Sequence, residues 1–210
     1  MAKDKTSKSD QGEATTTLPK PAPRLKLKYR EEVAKAIGEK FGIQNAMALP
    51  RMEKVVISVG LGKQLDGTKL NATAKEQVLT DLTVIAGQKP IVTRAKKSVS
   101  NFKVREGYEI GAMVTLRGAQ MWEFLDRLIN LAIPRIKDFR GMPDKSFDKG
   151  GNYSFGINEQ AIFPEVNMAE AKFLHGMNFN VVIKNSNPEI SRFLLAEMGV
   201  PFVKPDETRN

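Results

Sequence analysis

Short strand-forming runs that follow one another without an intervening helix constrain the fold of this chain most. Residues 90–94, 101–104 and 108–117 are rich in β-branched and aromatic side chains, and Glu106-Gly107 supplies turn residues between the last two. Strands joined by connections this short pair antiparallel. We therefore predict an α+β fold, in which an antiparallel β-sheet has helices packed on one face and its other face meets a partner.

Apolar side chains at three- and four-residue spacing predict the helices of this fold. Gly42 and Gly87 are suitable C-terminal stops for the first two helices, and Pro134 ends the third. The predicted helices cover residues 25–41, 71–86, 118–133 and 188–198.

The remaining strands are predicted from apolar density. Residues 51–60 are too densely apolar for a clean alternation, which predicts a largely buried strand, and the GLGKQLDGT that follows predicts a loop. Residues 153–157 and 179–183 are further candidate strands. Residues 135–152 are polar, rich in Gly and mixed in charge, and a loop this long in a compact domain is often functional.

Residues 1–23 differ in composition from the rest of the chain. Lys, Asp, Ser, Thr and Pro dominate them, and Met1 and Leu18 are their only large apolar side chains. Such a segment buries too little apolar surface to offset its ordering entropy, so we predict a disordered N-terminal tail. Residues 24–210 have a length typical of one domain and are predicted to form a single domain.

The charge of the chain limits the classes of partner. A formal net charge of +9 and a pI near 9.7 favour nucleic acid or an acidic membrane surface. The absence of Cys excludes disulfides and thiolate zinc sites and fits a cytoplasmic protein. The N-terminus lacks the apolar core of a secretory signal, and no run approaches the ~18–20 apolar residues of a membrane span, so no membrane partner is predicted.

The basic residues concentrate in residues 87–117, which carry seven Lys and Arg side chains against two Glu. The pattern predicts a strand, a basic loop with Lys96, Lys97 and Ser98 at its tip, and a return strand. Ammonium, guanidinium and hydroxyl groups donate to phosphate oxygens, so this loop favours contact with nucleic acid over a merely solvated charged face. RNA is favoured over DNA, because no recognition-helix motif or zinc finger is present.

No motif in the chain predicts catalysis, a metal site or a bound cofactor. Gly60-Leu61-Gly62 follows a strand, but Leu65 stands where a dinucleotide fingerprint has its third glycine. His175 is the only histidine, and the carboxylates are too dispersed for acid–base or metal chemistry. We predict no catalytic residue, no metal ligand and no cofactor.

Several long segments in the same order resemble the bacterial form of large-subunit ribosomal protein five, a universal family that binds 5S ribosomal RNA. The resemblance covers about residues 25–203. The segments that carry it are PRMEKVVISVGLG, AGQKPIVTRAKKSVSNFKVREGYEIGAMVTLRG, MWEFLDRLINLAIPRIKDFRG, KSFDKGGNYSFGINEQAIFPE and the final helix.

The resemblance implies a non-catalytic, structural constituent of the large subunit in the cytoplasmic ribosome, bound to 5S rRNA in the central protuberance. Large-subunit rRNA and neighbouring large-subunit proteins are its other implied partners. A polar trio maps onto Ser58, Gln88 and Thr115, with Lys89 and Arg117 beside it. Ser58 replaces the Asn of the family, so it offers one hydroxyl in place of an amide, and a water could restore that contact.

Two further contacts are implied by the same resemblance. The basic loop reaches P-site tRNA in the family, which maps onto Arg94, Lys96, Lys97, Ser98 and Asn101. The loop over residues 135–151 contacts a small-subunit protein across an intersubunit bridge, which maps onto Arg135, Lys137, Arg140, Lys145 and Lys149.

Two alternatives stay open at the level of sequence. A free-standing RNA chaperone or general nucleic-acid binder would use the same cations with little preference among RNAs. An enzyme built on the glycine turn and Lys63 would lack a base, a nucleophile and a metal site.

Overall fold

A computed structural model of the chain describes residues 22–62 and 71–203 in full, together with the backbone of residues 65–66 and 69–70. The predicted disordered tail, residues 1–23, lies almost wholly outside the described residues, as do Lys63 and residues 204–210. The first described helix begins at Arg24.

The described part of the chain contains five α-helices and seven β-strands. The helices are α1 (Arg24–Lys28), α2 (Ala34–Phe41), α3 (Ala72–Ala86), α4 (Gly118–Arg127) and α5 (Pro188–Glu197). The strands are β1 (Arg51–Gly60), β2 (Leu65–Asp66), β3 (Lys69–Leu70), β4 (Ile91–Arg94), β5 (Glu109–Leu116), β6 (Tyr153–Ile157) and β7 (Met177–Lys184). A π-helical turn, Tyr29–Val33, joins α1 to α2, and a second, Leu128–Ala132, extends α4.

Five of the strands form one sheet in the order β4-β5-β1-β7-β6, with every neighbouring pair antiparallel. β1 occupies the centre, where Ile57 pairs with Val114 of β5 and with Phe179 of β7. This sheet, with helices packed against it, confirms the predicted α+β fold.

One face of the sheet forms the core. Along β1, Met52, Val55, Ile57 and Val59 are buried, while the side chains between them are half-buried or exposed. The prediction of a largely buried strand was therefore wrong for one face. The apolar run in β1 misled the prediction because Val56, between Val55 and Ile57, is apolar but points away from the core.

The helices cover the buried face of the sheet with large apolar side chains. Val78, Leu82 and Ile85 of α3 are fully buried there. Phe124 of α4 stacks on Phe179 of β7 with ring centroids 5.9 Å apart. Full burial of side chains of this size stabilises the fold by about 1.5–3 kcal/mol each.

Glycines end the first helices where the sequence predicted. Gly42 and Gly87 have φ of 67° and 65°, a left-handed conformation that side chains with a Cβ rarely adopt. At the other end of α3, the Asn71 side chain accepts a hydrogen bond from the Thr73 N–H at 3.0 Å. Pro134 lies in the short 3-10 turn that closes the extension of α4, which confirms its predicted role.

Two predictions of local structure were wrong. Residues 101–104 are not a strand: Ser100–Phe102 is a 3-10 turn, Lys103 has φ 53°, and Val104 alone pairs with Val99. The chain must reverse direction there, and the reversal occupies the residues whose composition suggested a strand. The predicted GLGKQLDGT loop contains the short strand β2, which pairs antiparallel with β3 directly after the loop.

His175 is buried beside the carboxylate of Asp81, with Nδ1 and Oδ2 3.8 Å apart. Neither ring nitrogen has a hydrogen-bond partner among the described residues. Burial lowers the pKa of His175 to about 4, so the ring is neutral at pH 7. Gln160 fixes the neighbouring backbone, because its side chain accepts from the His175 N–H at 2.7 Å and donates to the Phe173 carbonyl at 3.0 Å.

We expect His175 to make the fold less stable as the pH falls from 6.5 towards 4. In that window the unfolded chain binds a proton on this histidine that the folded protein does not, at a slope of up to about 1.4 kcal/mol per pH unit. Burial raises the pKa of Asp81, which opposes this slope. Urea midpoints at several pH values should fall less steeply for His175→Leu than for the unchanged protein; parallel curves would contradict this account.

Two paired glycines, Gly60 and Gly111, test whether close backbone packing in the sheet excludes a side chain. Gly111 and Gly60 are cross-strand partners, but a Cβ on Gly111 would lie 2.4 Å from the Val59 carbonyl oxygen, whereas a Cβ on Gly60 would meet nothing within 4 Å. Gly111→Ala should lower the free energy of unfolding by about 1–3 kcal/mol, because backbone must move to admit the methyl group. Gly60→Ala is the control, and equal urea midpoints for the two variants would refute the packing argument.

Candidate nucleic-acid interface

The face of the sheet opposite the core, here called the open face, displays two rows of neutral side chains. Strand register fixes their order, since each member is the cross-strand partner of the next. The first row is Ile91, Met113, Ser58, Asn178 and Gly156, and the second is Thr115, Val56, Asn180 and Ser154. No charged side chain stands in either row, although the chain as a whole is strongly basic.

Two members of the predicted trio, Ser58 and Thr115, lie on the open face, and the third, Gln88, lies in a neighbouring connection. Ser58 and Thr115 are both half-buried on the open face, and Thr115 pairs with Val56, two residues along β1 from Ser58. Gln88 is exposed in the connection that follows Gly87 and leads into β4. Because β4 runs antiparallel to β5, this connection passes the end of β5 where Thr115 stands.

The hydrogen-bonding groups of the trio are unused within the described part of the chain. The Ser58 and Thr115 hydroxyls and the Gln88 amide make no hydrogen bond there. Lys89 is exposed beside them, and Arg117 approaches Glu53 at 3.7 Å in an exposed pair of little energetic consequence. Neutral donors and acceptors flanked by two exposed cations suit a ligand that carries both phosphates and polar groups able to form hydrogen bonds.

The basic loop between β4 and β5 is a backbone-paired extension of the sheet. The Ala95 N–H donates to the Tyr108 carbonyl at 2.8 Å, and Val99 and Val104 exchange hydrogen bonds of 2.8 and 3.2 Å. Ser98 Oγ accepts from the Glu106 N–H at 3.0 Å. The loop therefore has two arms held together along their length.

This pairing moves the tip of the loop away from the predicted position. Lys96, Lys97 and Ser98 are exposed along the first arm, not at the tip. The tip is the turn Ser100–Phe102 followed by Lys103, and it includes the predicted Asn101. At the base, Arg94 is 70% exposed and its guanidinium lies 3.9 Å from Glu109.

Phe102 was missed by the sequence analysis. Its side chain is 75% exposed at the tip of the loop, with cations on both arms. The available signal was an aromatic side chain directly beside a cation in the polar sequence SNFK. An exposed ring among cations is the arrangement that proteins use to stack on unpaired bases.

Residues 135–151 are anchored at several points. The Met142 N–H donates to the Pro201 carbonyl at 2.7 Å, Phe147 bridges to Tyr153, and Arg192 binds Asp144 at 2.7 Å. Hydrogen bonds from Asn152 hold the pKa of the Asp148 carboxyl below its usual range. The predicted long loop is therefore irregular but fixed.

The cations of this segment face solvent. All five predicted positions are exposed, and none of them forms an ion pair with another described residue. They are Arg135, Lys137, Arg140, Lys145 and Lys149. They are available to an external partner.

Four acidic side chains lie together on the helical side of the sheet. A cleft of about 300 Å³ beside α3 is lined by Glu76, Asp81, Glu165 and Glu170, against the single cation Lys172. A polyanion is repelled there and attracted to the exposed cations of the β4–β5 loop and of residues 135–151.

Within the described ranges, no group of three or more His, Asp or Glu side chains could hold a metal ion. No described helix is both long enough and apolar enough to cross a bilayer.

Comparison with known proteins identifies the family. Residues 45–105 match the family described as ribosomal protein L5, and residues 109–202 match the C-terminus of the same ribosomal family. The large ribosomal subunit protein uL5 of Acidobacterium capsulatum is 49% identical over 181 residues, 86% of this chain and 97% of that protein. The proteins of the same name from Kocuria rhizophila and Alkaliphilus oremlandii are 49% and 52% identical, over 89% and 86% of this chain and 97% and 99% of their own lengths. The chain belongs to the ribosomal protein L5 family.

Proposed function

We propose that the open face binds 5S rRNA, that the β4–β5 loop contacts P-site tRNA, and that residues 135–151 contact a small-subunit protein across an intersubunit bridge. Membership of the ribosomal protein L5 family makes the chain a non-enzymatic, structural constituent of the large subunit of the cytoplasmic ribosome. Its partners in that setting are rRNA and ribosomal proteins.

The observation that carries the 5S rRNA proposal is a set of neutral hydrogen-bonding groups, on the open face and in the connection beside it, that no described residue uses. Ser58 and Thr115 are diagonal neighbours on the open face, and Gln88 lies next to the end of β5. Neutral donors and acceptors discriminate among base and sugar edges, whereas cations grip any phosphate equally well. The neighbouring Lys89 and Arg117 would supply that phosphate grip.

The tRNA proposal rests on the shape and charge of the β4–β5 loop. Backbone pairing holds the loop out from the sheet, and Lys96 and Lys97 are exposed along it. Phe102 at the tip adds a ring that can stack on an exposed base. The loop is thus suited to an RNA other than the one on the open face.

The bridge proposal rests on residues 135–151. Five exposed cations, none of them ion-paired within the described residues, stand on a segment that backbone hydrogen bonds link to residues 201–203. A fixed, positively charged surface suits an acidic protein partner that must be met in a constant position.

We expect Gln88→Ala and Thr115→Ala each to weaken 5S rRNA binding by about 1–3 kcal/mol, because each leaves a buried RNA group unpaired. Gln120→Ala and Thr80→Ala are matched controls, since both residues are exposed on helices away from the open face. Filter binding at fixed salt is the measurement. Control-like affinity for Gln88→Ala and Thr115→Ala would exclude the trio, and equal displacement of 5S rRNA by unrelated RNA would favour a general RNA binder.

Variants of the β4–β5 loop should weaken tRNA binding without weakening 5S rRNA binding. The pair Lys96→Ala, Lys97→Ala should leave 5S rRNA affinity nearly unchanged but weaken P-site tRNA binding to ribosomes rebuilt with the variant. Phe102→Ala should do the same, at about 1–3 kcal/mol for a lost stack.

The charge-matched control for the lysine pair is Lys35→Ala with Lys172→Ala, which removes two exposed cations from the helical side. A large loss of 5S rRNA affinity in the Lys96 and Lys97 variant would contradict the proposal that the open face binds 5S rRNA and the β4–β5 loop binds tRNA.

A further inference from the structure

A cleft of about 600 Å³ lies between the open face and the segment from Ile136 to Ser146. Its floor includes Ser58, Asn178, Asn180 and Ser154, and Ile136 and Phe139 stand on its other side. None of the residues that line it is charged. The volume is in the range of pockets that enclose a small aromatic ligand.

The floor of the cleft carries hydrogen-bonding groups that nothing in the described chain uses. Asn178 pairs across the sheet with Ser58 on one side and Gly156 on the other, and Asn180 pairs with Ser154. The two amides and the Ser154 hydroxyl make no hydrogen bond within the described ranges. Each amide offers two donors and one acceptor, so the floor can complement a flat, polar edge.

A nucleobase fits this lining better than a phosphate or a peptide strand. A phosphate would call for cations, and the cleft has none. A peptide strand would need a free sheet edge, but the start of the outer edge of β6 is occupied, since the Ser154 N–H donates to the Ser146 carbonyl at 3.1 Å. The Phe139 ring supplies the apolar contact that a base plane prefers.

We propose that this cleft receives an unpaired base of the RNA bound on the open face, with Asn178 and Asn180 hydrogen-bonded to its edge. The proposal rests on the proposed binding of 5S rRNA and extends it to the β6–β7 side of the sheet. Phe139 lies between Lys137 and Arg140, two of the exposed cations of the bridge segment. The base would therefore sit against the inner side of that segment and brace it on the sheet.

Asparagine variants test the contact directly. Asn178→Ala and Asn180→Ala should each weaken 5S rRNA binding about tenfold, the effect of losing one base contact. The slope of log affinity against log salt should stay unchanged, because no phosphate contact is removed. Asn158→Ala is the control, since Asn158 is exposed just beyond the end of β6 and outside the cleft.

Gly156→Ala is a second, independent variant. A Cβ there would lie 2.9 Å from Asn178 Oδ1, the far end of a flexible side chain, and its next neighbour would be 3.9 Å away. The sheet can therefore admit the methyl group while the amide is displaced. Affinity for 5S rRNA should again fall severalfold with an unchanged thermal midpoint.

Base-specific methylation with dimethyl sulfate identifies the contact. The unchanged protein should protect an unpaired adenine or cytosine of 5S rRNA that Asn180→Ala leaves reactive. Wild-type affinity in both asparagine variants, or a loss accompanied by a shallower salt slope, overturns the proposal. If the variants keep RNA affinity but fail to join the subunit, the cleft holds a protein and the proposal is wrong.

The cleft and the trio can fail separately. Weak binding by Gln88→Ala and Thr115→Ala with normal binding by the asparagine variants rejects the cleft and leaves the proposed function standing. If the unsubstituted protein shows no preference for 5S rRNA over other RNA, both the cleft proposal and the proposed function are wrong.

Discussion

The pairing of β1 with a strand on each side is the constraint on which the rest of the structure depends. Because β1 pairs with both β5 and β7, its alternation is imposed on three strands at once. Ile57, Val114 and Phe179 meet in the core, and the positions between them must all face the other way. The same register that forms the core therefore assembles the open face, and a slip of one residue would destroy both.

That register also separates two kinds of interaction with a polyanion. Many exposed cations lie in the β4–β5 loop and in residues 135–151, where solvent surrounds them at little energetic cost. The open face holds uncharged amides and hydroxyls, some half-buried and some exposed. Phosphate contacts supply affinity and steering with little sequence information, and neutral contacts supply discrimination. Because the neutral groups stand on a rigid sheet, the spacing between them is fixed, and a fixed spacing is needed to distinguish one RNA from another.

The sequence predicted the features that local chemistry decides. Helix spacing and the glycine stops at Gly42 and Gly87 were found because they depend on neighbours along the chain. The prediction of a strand at residues 101–104 was wrong because a turn and a strand compete for the same residues. The pairing of Val99 with Val104 favours the turn. Asn178 was missed because the strand was predicted from residue 179, so the alternating amides of β7 were never seen as one face.

The segment from Ile136 to Ser146 belongs to two surfaces at once. Its apolar side chains close the neutral cleft, and its cations face outward. Met142 is buried and its N–H donates to the Pro201 carbonyl, so the segment cannot shift without breaking that contact. A ligand in the cleft would add contacts on the inner side and favour the same position. Binding on the open face would then stabilise the outward display of cations, since both use one arrangement of this segment.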